Sequence, residues 1–166
     1  MKTKKIILPF NETKLKNIKN GDFLEISGRI LVCRDQVHSL INAMVKRKEK
    51  LPVDFTNQAI FYAGPSPTPP GKIIGSIGPT TSARMDVLTP VMLSLGVNCF
   101  IGKGPRSLEV MEQIKKNHAI YCVTFGGYAA LLSSYVISNE IIAFEELGPE
   151  SLLCIRVKDF PVVAVI

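Results

Sequence analysis

From Cys99 to Ser133 the sequence alternates between short apolar runs and segments of helical spacing. Such an alternation buries its apolar residues only as a sheet covered by helices. Cys99 to Ile101 reads as a strand, Pro105 to Asn117 as a helix, Ala119 to Phe125 as a strand and Tyr128 to Ser133 as a further helix. Upstream, Lys4 to Leu8 predicts a first strand, while Phe23 to Ser27 and Arg29 to Arg34 predict a strand pair meeting at a turn around Ser27-Gly28. Asp35 is expected to cap a helix on which Val37, Leu40, Ile41, Met44 and Val45 form one apolar face. Ala59 to Ala63, Ile137 to Phe144, Leu152 to Val157 and Val162 to Ile166 add apolar β-type runs. The expected fold is α/β, a mixed sheet with packed helices.

Punctuation between these runs is clear. Gly64 to Gly71, GPSPTPPG, fixes too many φ angles for regular structure and predicts an ordered surface loop. Thr89 before Pro90 has the form of an N-cap followed by proline at the first helical position, with Gly96 as the stop. Lys46, Arg47, Lys48 and Lys50 gather at the end of the helix after Asp35, where cations complement the helix dipole and stay hydrated. With 166 residues and 46% hydrophobic content, residues 1–166 are expected to build one domain around one core.

The N-terminal run IILPF is too short for a signal-peptide core. The uncharged stretch from Ala119 to Ile137 is broken by Gly126-Gly127 and hydroxyl residues, so it reads as a buried strand, turn and helix rather than a membrane span. The expected location is the cytoplasm, with no membrane partner. Cys33, Cys99, Cys122 and Cys154 are widely separated in apolar surroundings and read as buried thiols rather than metal ligands. A net charge of +6 favours anionic partners, but without tryptophan or an arginine-rich or aromatic motif it does not point to nucleic acid.

Two phosphate-loop patterns fail: Gly64 and Gly71 are too far apart for a Walker loop, and Gly102-Lys103-Gly104 lacks the third glycine of the dinucleotide pattern. What remains is Gly78-Pro79-Thr80-Thr81-Ser82-Ala83-Arg84-Met85-Asp86. Glycine permits close backbone approach, adjacent hydroxyls can donate or accept protons, and Arg84 can grip a carboxylate with two parallel bonds. A simple helix cap with solvated Arg84 and Asp86 explains the same spacing. Lys103 follows a strand and precedes a helix, a junction that often faces ligands, though it also suits a solvated turn. Arg34 ends the apolar run ILVC and is placed to face the same site, with Asp35 as a candidate salt-bridge partner. His38 suits a hydrogen-bonded structural role, and His118 an exposed helix end.

Together, RDQVH at Arg34 to His38, FYAGP at Phe61 to Pro65, GPTTSARMD, IGKG at Ile101 to Gly104 and VTFGGYAALL at Val123 to Leu132 resemble the β subunit of the class I fumarase and L-tartrate dehydratase family. Ala83 stands where glycine is frequent in that signature. The resemblance implies a swivelling β/β/α domain, equivalent to the C-terminal domain of single-chain class I fumarases. It implies reversible hydration of fumarate to malate, or dehydration of tartrate to oxaloacetate. It further implies a partner α subunit carrying a [4Fe–4S] cluster, no cluster on this chain, a hetero-oligomer, and no activity for the chain alone. Carried over position by position, Arg34, Thr81, Arg84 and Lys103 bind the dicarboxylate substrate and Thr80 transfers the proton. A non-catalytic dicarboxylate-binding module that kept this site is the other reading.

Overall fold

The computed structural model describes residues 3–166. Met1 and Lys2, which open the basic N-terminal stretch, lie outside the described residues. Strands β1 (Lys4–Ile7), β2 (Phe23–Val32), β3 (Ala59–Phe61), β4 (Cys99–Gly102), β5 (Ile120–Val123), β6 (Val136–Ala143) and β7 (Leu152–Val165) form one seven-stranded mixed sheet in the order β1-β2-β3-β4-β5-β7-β6. Neighbours from β1 to β5 are parallel, and β7 is antiparallel to β5, to β6 and to β2. The β2–β7 pairing closes β2, β3, β4, β5 and β7 into a ring.

The strand period of two sorts side chains into two cores. Ile30, Val32, Phe61, Cys99, Ile101 and Cys122 join the cluster within the ring. The intervening Leu31, Ile60, Phe100 and Tyr121 face outward into a second cluster with Val37, Ile41, Met92, Val110 and Ile114. These last come from α2 (Asp35–Arg47), α3 (Thr89–Ser94) and α4 (Leu108–Lys116). Burial on both faces is why the strands read as unbroken apolar runs. Two short helices, α1 (Glu12–Lys16) and α5 (Ala129–Ser133), complete the α-helical elements. None of the helices described is long and apolar enough to cross a membrane.

Several expectations need correction. Ser27-Gly28 is not a hairpin turn: β2 runs straight through it, with a register shift between Ile26 and Gly28. Gly28 takes φ +136, and a Cβ there would stand 2.9 Å from Leu8 Cβ, so the glycine serves a bulge and a close crossing. The two C-terminal runs form one strand of 14 residues, which absorbs its irregularity at Asp159 with φ 52. Arg34, not Asp35, occupies the N-cap position of α2, and its side chain makes no capping bond. Thr89 is not the N-cap of α3 either: that position is Leu88, and Thr89 is instead the C-cap of the preceding 3₁₀ segment. The 3₁₀ segment Ser82–Leu88 runs directly into α3, leaving no free helix start, and the Thr89 hydroxyl donates back to Met85 O at 2.8 Å. The helix expected from Pro105 begins at Leu108, where Ser107 Oγ accepts from Val110 N at 3.3 Å. Three cysteines are buried, whereas Cys154 is half-buried, with its Sγ 3.0 Å from Arg29 Nε.

Candidate functional site

Parallel β2, β3, β4 and β5 all end on one rim of the ring, the edge where open parallel sheets present ligand-binding loops. Past Tyr62, β3 and β4 separate and Pro79–Ser82 threads between them. Pro79 bridges Ala63 in antiparallel fashion, Thr81 bridges Lys103 in parallel, and Thr80 N donates to Tyr62 O at 2.7 Å. Lys103 N then donates to Thr80 O at 3.2 Å, and Ser82 N to Lys103 O at 3.0 Å. The segment is therefore held as a short inserted strand. This removes the helix-cap explanation: Thr81 occupies the N-cap position of the 3₁₀ segment without any side-chain capping bond.

Each of the five candidate site residues, Arg34, Thr80, Thr81, Arg84 and Lys103, lies on this rim. Arg34 follows β2 and donates from Nη1 to Thr80 Oγ1 at a long 3.4 Å, while its Nη2 pairs with Glu150 Oε1 at 3.1 Å. Its Nε is buried and unpartnered. Thr81 is exposed beside Lys103, also exposed, and Lys103 Nζ has no hydrogen-bond or ion-pair partner among the described residues. Gly126, in the loop after β5, lies over the Lys103 stem, where an added Cβ would be 3.7 Å from its Cδ. Arg84, on the 3₁₀ segment, pairs with Asp35 at 3.1 Å, both side chains being well exposed. Asp35 is thus the partner of Arg84, and Arg34 takes Glu150 instead.

His38 stands behind Arg34. Its Nδ1 donates to Arg34 O at 2.9 Å, and its ring meets Tyr62 edge to face at 5.4 Å. Burial pushes its pKa down to about 4, so the imidazole is neutral near pH 7 and steadies the backbone at Arg34.

The end of the GPTTSARMD segment has a different role from its beginning. Asp86 accepts from Arg106 Nε at 2.5 Å and from Ser107 N at 2.9 Å. The Arg106 side chain is fully buried, bonded to Thr89 Oγ1 and the Tyr62 hydroxyl, with its guanidinium 5.3 to 5.9 Å from the ring centres of Tyr121, Tyr62 and Phe100. Neither Arg106 nor Glu150 is singled out by sequence reasoning. An arginine in a Gly-Pro-rich turn and a glutamate in EELGPE both look like solvated surface residues, and only the three-dimensional contacts distinguish them.

A hollow of ≈ 400 Å³ lined by Asp35, Gln36, Ser39, Leu40 and Leu147 adjoins the rim. A more apolar hollow of ≈ 210 Å³, lined in part by Leu15, Met111, Ile114 and Ile166, lies near the start of β5 at the other end of the strands. It has no clustered arginines, so chemistry rather than enclosure marks the rim as the candidate site. The described residues bring together no group of three His, Cys, Asp or Glu side chains able to hold a metal ion. Burial pushes the Cys33 and Cys99 thiols up, away from the thiolate form that iron–sulfur ligation needs. The donor set therefore does not fit a cluster.

The sequence pattern of the family described as Fumarase C-terminus matches residues 2–166. The chain belongs to this family. It is 38% identical over 148 residues to Fumarate hydratase 2 of Leishmania major, covering 88% of this chain and 26% of that protein. It is 37% identical over 140 residues to the anaerobic class I fumarate hydratase of Escherichia coli strain K12, covering 83% and 26%. To the L(+)-tartrate dehydratase subunit beta of the same strain it is 34% identical over 162 residues, covering 95% and 79%. The chain thus spans about a quarter of the fumarate hydratases it matches and most of the tartrate dehydratase subunit. The rim of this Fumarase C-terminus family member carries Arg34, Arg84 and Lys103 beside the Thr80 and Thr81 hydroxyls.

Proposed function

We propose that this chain is the dicarboxylate-binding half of a hydro-lyase, adding water to fumarate to give malate. The observation that carries the reading is the convergence of Arg34, Thr80, Thr81, Arg84 and Lys103 on one open rim. Arg84 and Lys103 reach solvent there and suit the two carboxylates of the substrate, Arg84 through its planar fork and Lys103 as a point charge. Removing a proton beside a carboxylate loads extra negative charge onto it, so fixed cations bind that state more tightly than the ground state.

Thr80 is the group assigned to proton transfer. An isolated threonine hydroxyl is a weak base, and Arg34 Nη1, 3.4 Å from Thr80 Oγ1, is placed to stabilise the alkoxide form. Among the described residues no three His, Cys, Asp or Glu side chains come together to hold iron, so the reading assigns the [4Fe–4S] cluster to a partner α chain in a hetero-oligomer. A second reading, tartrate to oxaloacetate, is favoured by the similarity to the tartrate dehydratase subunit across 95% of the chain.

The test is anaerobic reconstitution with the candidate α chain, followed by assays on fumarate, malate and the tartrate stereoisomers. Thr80→Val in the assembled complex is expected to lower turnover by ~10²-fold or more while assembly persists. Turnover near the parent value would remove Thr80 from the chemistry, and a complex inactive on all these substrates would overturn the reading itself.

A further inference from the structure

The carboxylate that meets Arg34 comes from a part of the chain with no role so far. Glu150 ends the 3₁₀ segment Glu145–Glu150, just before Ser151, which is 2% exposed. The Ser151 hydroxyl and amide both donate to Gly148 O, at 2.6 and 3.0 Å, and β7 begins at the next residue paired with Ala143. The backbone carrying Glu150 is therefore anchored at its C-terminal side.

Its two carboxylate oxygens take different donors. Oε1 accepts from Arg34 Nη2 at 3.1 Å, and Oε2 accepts from Gln36 N at 3.3 Å. Gln36 N is one of the amides that a helix start leaves unbonded, and α2 has no side-chain cap of its own. Glu150 supplies an anion at that helix start, where the dipole favours one. The same side chain thus ties the start of α2 to the Arg34 guanidinium.

The guanidinium is confined on its other sides too. Nη1 contacts Thr80 Oγ1 at 3.4 Å. A Cβ on Gly64 would stand 3.2 Å from Arg34 Cζ, 3.3 Å from its Nε and 2.8 Å from Pro149 O. Gly64, Pro149, Glu150 and Thr80 together leave the Arg34 head group little freedom.

Resting on the reading of Thr80 as the proton-transfer group, we propose that Glu150 is a positioning residue that holds Arg34 Nη2 so that Nη1 stays against Thr80 Oγ1. It touches no substrate and acts through Arg34. A purely structural Glu150 would cap α2 and affect stability alone. A positioning Glu150 affects the step in which Thr80 changes charge more than it affects substrate capture.

The test has two arms. In the reconstituted complex, Glu150→Ala is expected to lower kcat roughly tenfold or more with KM within about threefold, because misplacement of a supporting group acts on the reacting geometry. Glu150→Gln, whose side-chain oxygen can still accept from Arg34, is expected to recover most of that loss. In the full chain without partner or substrate, the Arg34 Nε–H resonance should be sharp in the parent and in Glu150→Gln, and broadened in Glu150→Ala. A Glu150→Ala variant with parent kcat and a sharp Arg34 signal overturns the proposal. Should Glu150→Ala fail to fold, Glu150→Asp decides, since it keeps the charge but not the reach: parent kcat in that variant also overturns it. If the parent complex is inactive on every dicarboxylate, the hydro-lyase reading falls, whereas the resonance arm still decides whether Glu150 holds Arg34.

Discussion

Ser82 Oγ occupies the space that a side chain on Gly102 would need, only 2.0 Å from where a Cβ would stand. The serine of GPTTSARMD and the first glycine of IGKG are therefore two halves of one contact. Ser82 is fully buried, with its Oγ 2.9 Å from the Tyr121 hydroxyl, which itself donates to Gly104 O at 2.7 Å. Gly102→Ala should force the inserted strand outward and cost about 1–3 kcal/mol, the range for overpacking a tight interior. Adding Ser82→Gly in that background should restore part of the loss, since contacting residues couple. Urea denaturation of the two variants measures both effects. An unchanged midpoint for Gly102→Ala would refute the interlock.

The buried pair of Asp86 with Arg106 predicts a second stability effect, separate from catalysis. The Arg106 side chain is 0% exposed and that of Asp86 14%, so Asp86→Asn leaves a buried guanidinium without its counter-charge. Breaking such a pair from one side costs roughly 3–5 kcal/mol. The double variant Asp86→Asn with Arg106→Met should recover much of this, because no unpaired charge then remains. Thermal melts of the single and double variants decide; a single variant as stable as the parent would show that the pair carries no weight.

The fold is legible in the sequence where both faces of a strand are buried. ILVC, CFIG and IYCV carry no polar interruption, and each lies in or at the end of a buried strand, as expected. Legibility fails where a glycine or an out-of-pattern residue marks a bulge rather than an end, at Gly28 in β2 and Asp159 in β7, because a local break and a true turn leave the same trace in one sequence. The five candidate site residues can be named from sequence, but their counter-charges cannot. Glu150 is far from Arg34 along the chain, and Asp35 looks like the partner of Arg34 because it is adjacent, whereas the helix start turns it toward Arg84. Pairings of this kind follow from strand order and loop paths, which local residue patterns do not encode.

His38 gives a pH prediction. Burial lowers its folded pKa to about 4, below the ordinary value of 6.5, so between these limits the unfolded chain binds a proton that the folded chain does not. The associated stability is fully present above about pH 6.5 and is lost as pH falls toward about 4, amounting to roughly 3 kcal/mol. Comparing unfolding free energies of the parent and His38→Phe from pH 7 to pH 4 isolates this part from the carboxylates. The variant should have a shallower slope over that window, and parallel curves would show that His38 does not carry the dependence.

On the proposed reading, in which Arg84 holds a substrate carboxylate, Asp35 is its competitor. The two are paired at 3.1 Å, but their side chains are 40% and 52% exposed, so the pair is hydrated and readily opened. A carboxylate arriving at Arg84 must displace or share this contact. Asp35→Asn removes the competing charge while keeping similar bulk at the first position of α2. Exposed pairs are worth about 0.2–1 kcal/mol, which sets an expected tightening of dicarboxylate binding of up to about fivefold. The gain should shrink at high salt, where screening already weakens the pair, and some helix stability should be lost because an acidic first turn complements the dipole. Titrating malate into the assembled complex at low and high ionic strength separates these effects. Weaker malate binding in Asp35→Asn at low salt would mean instead that Asp35 holds Arg84 in its binding orientation, and the competition argument would be wrong.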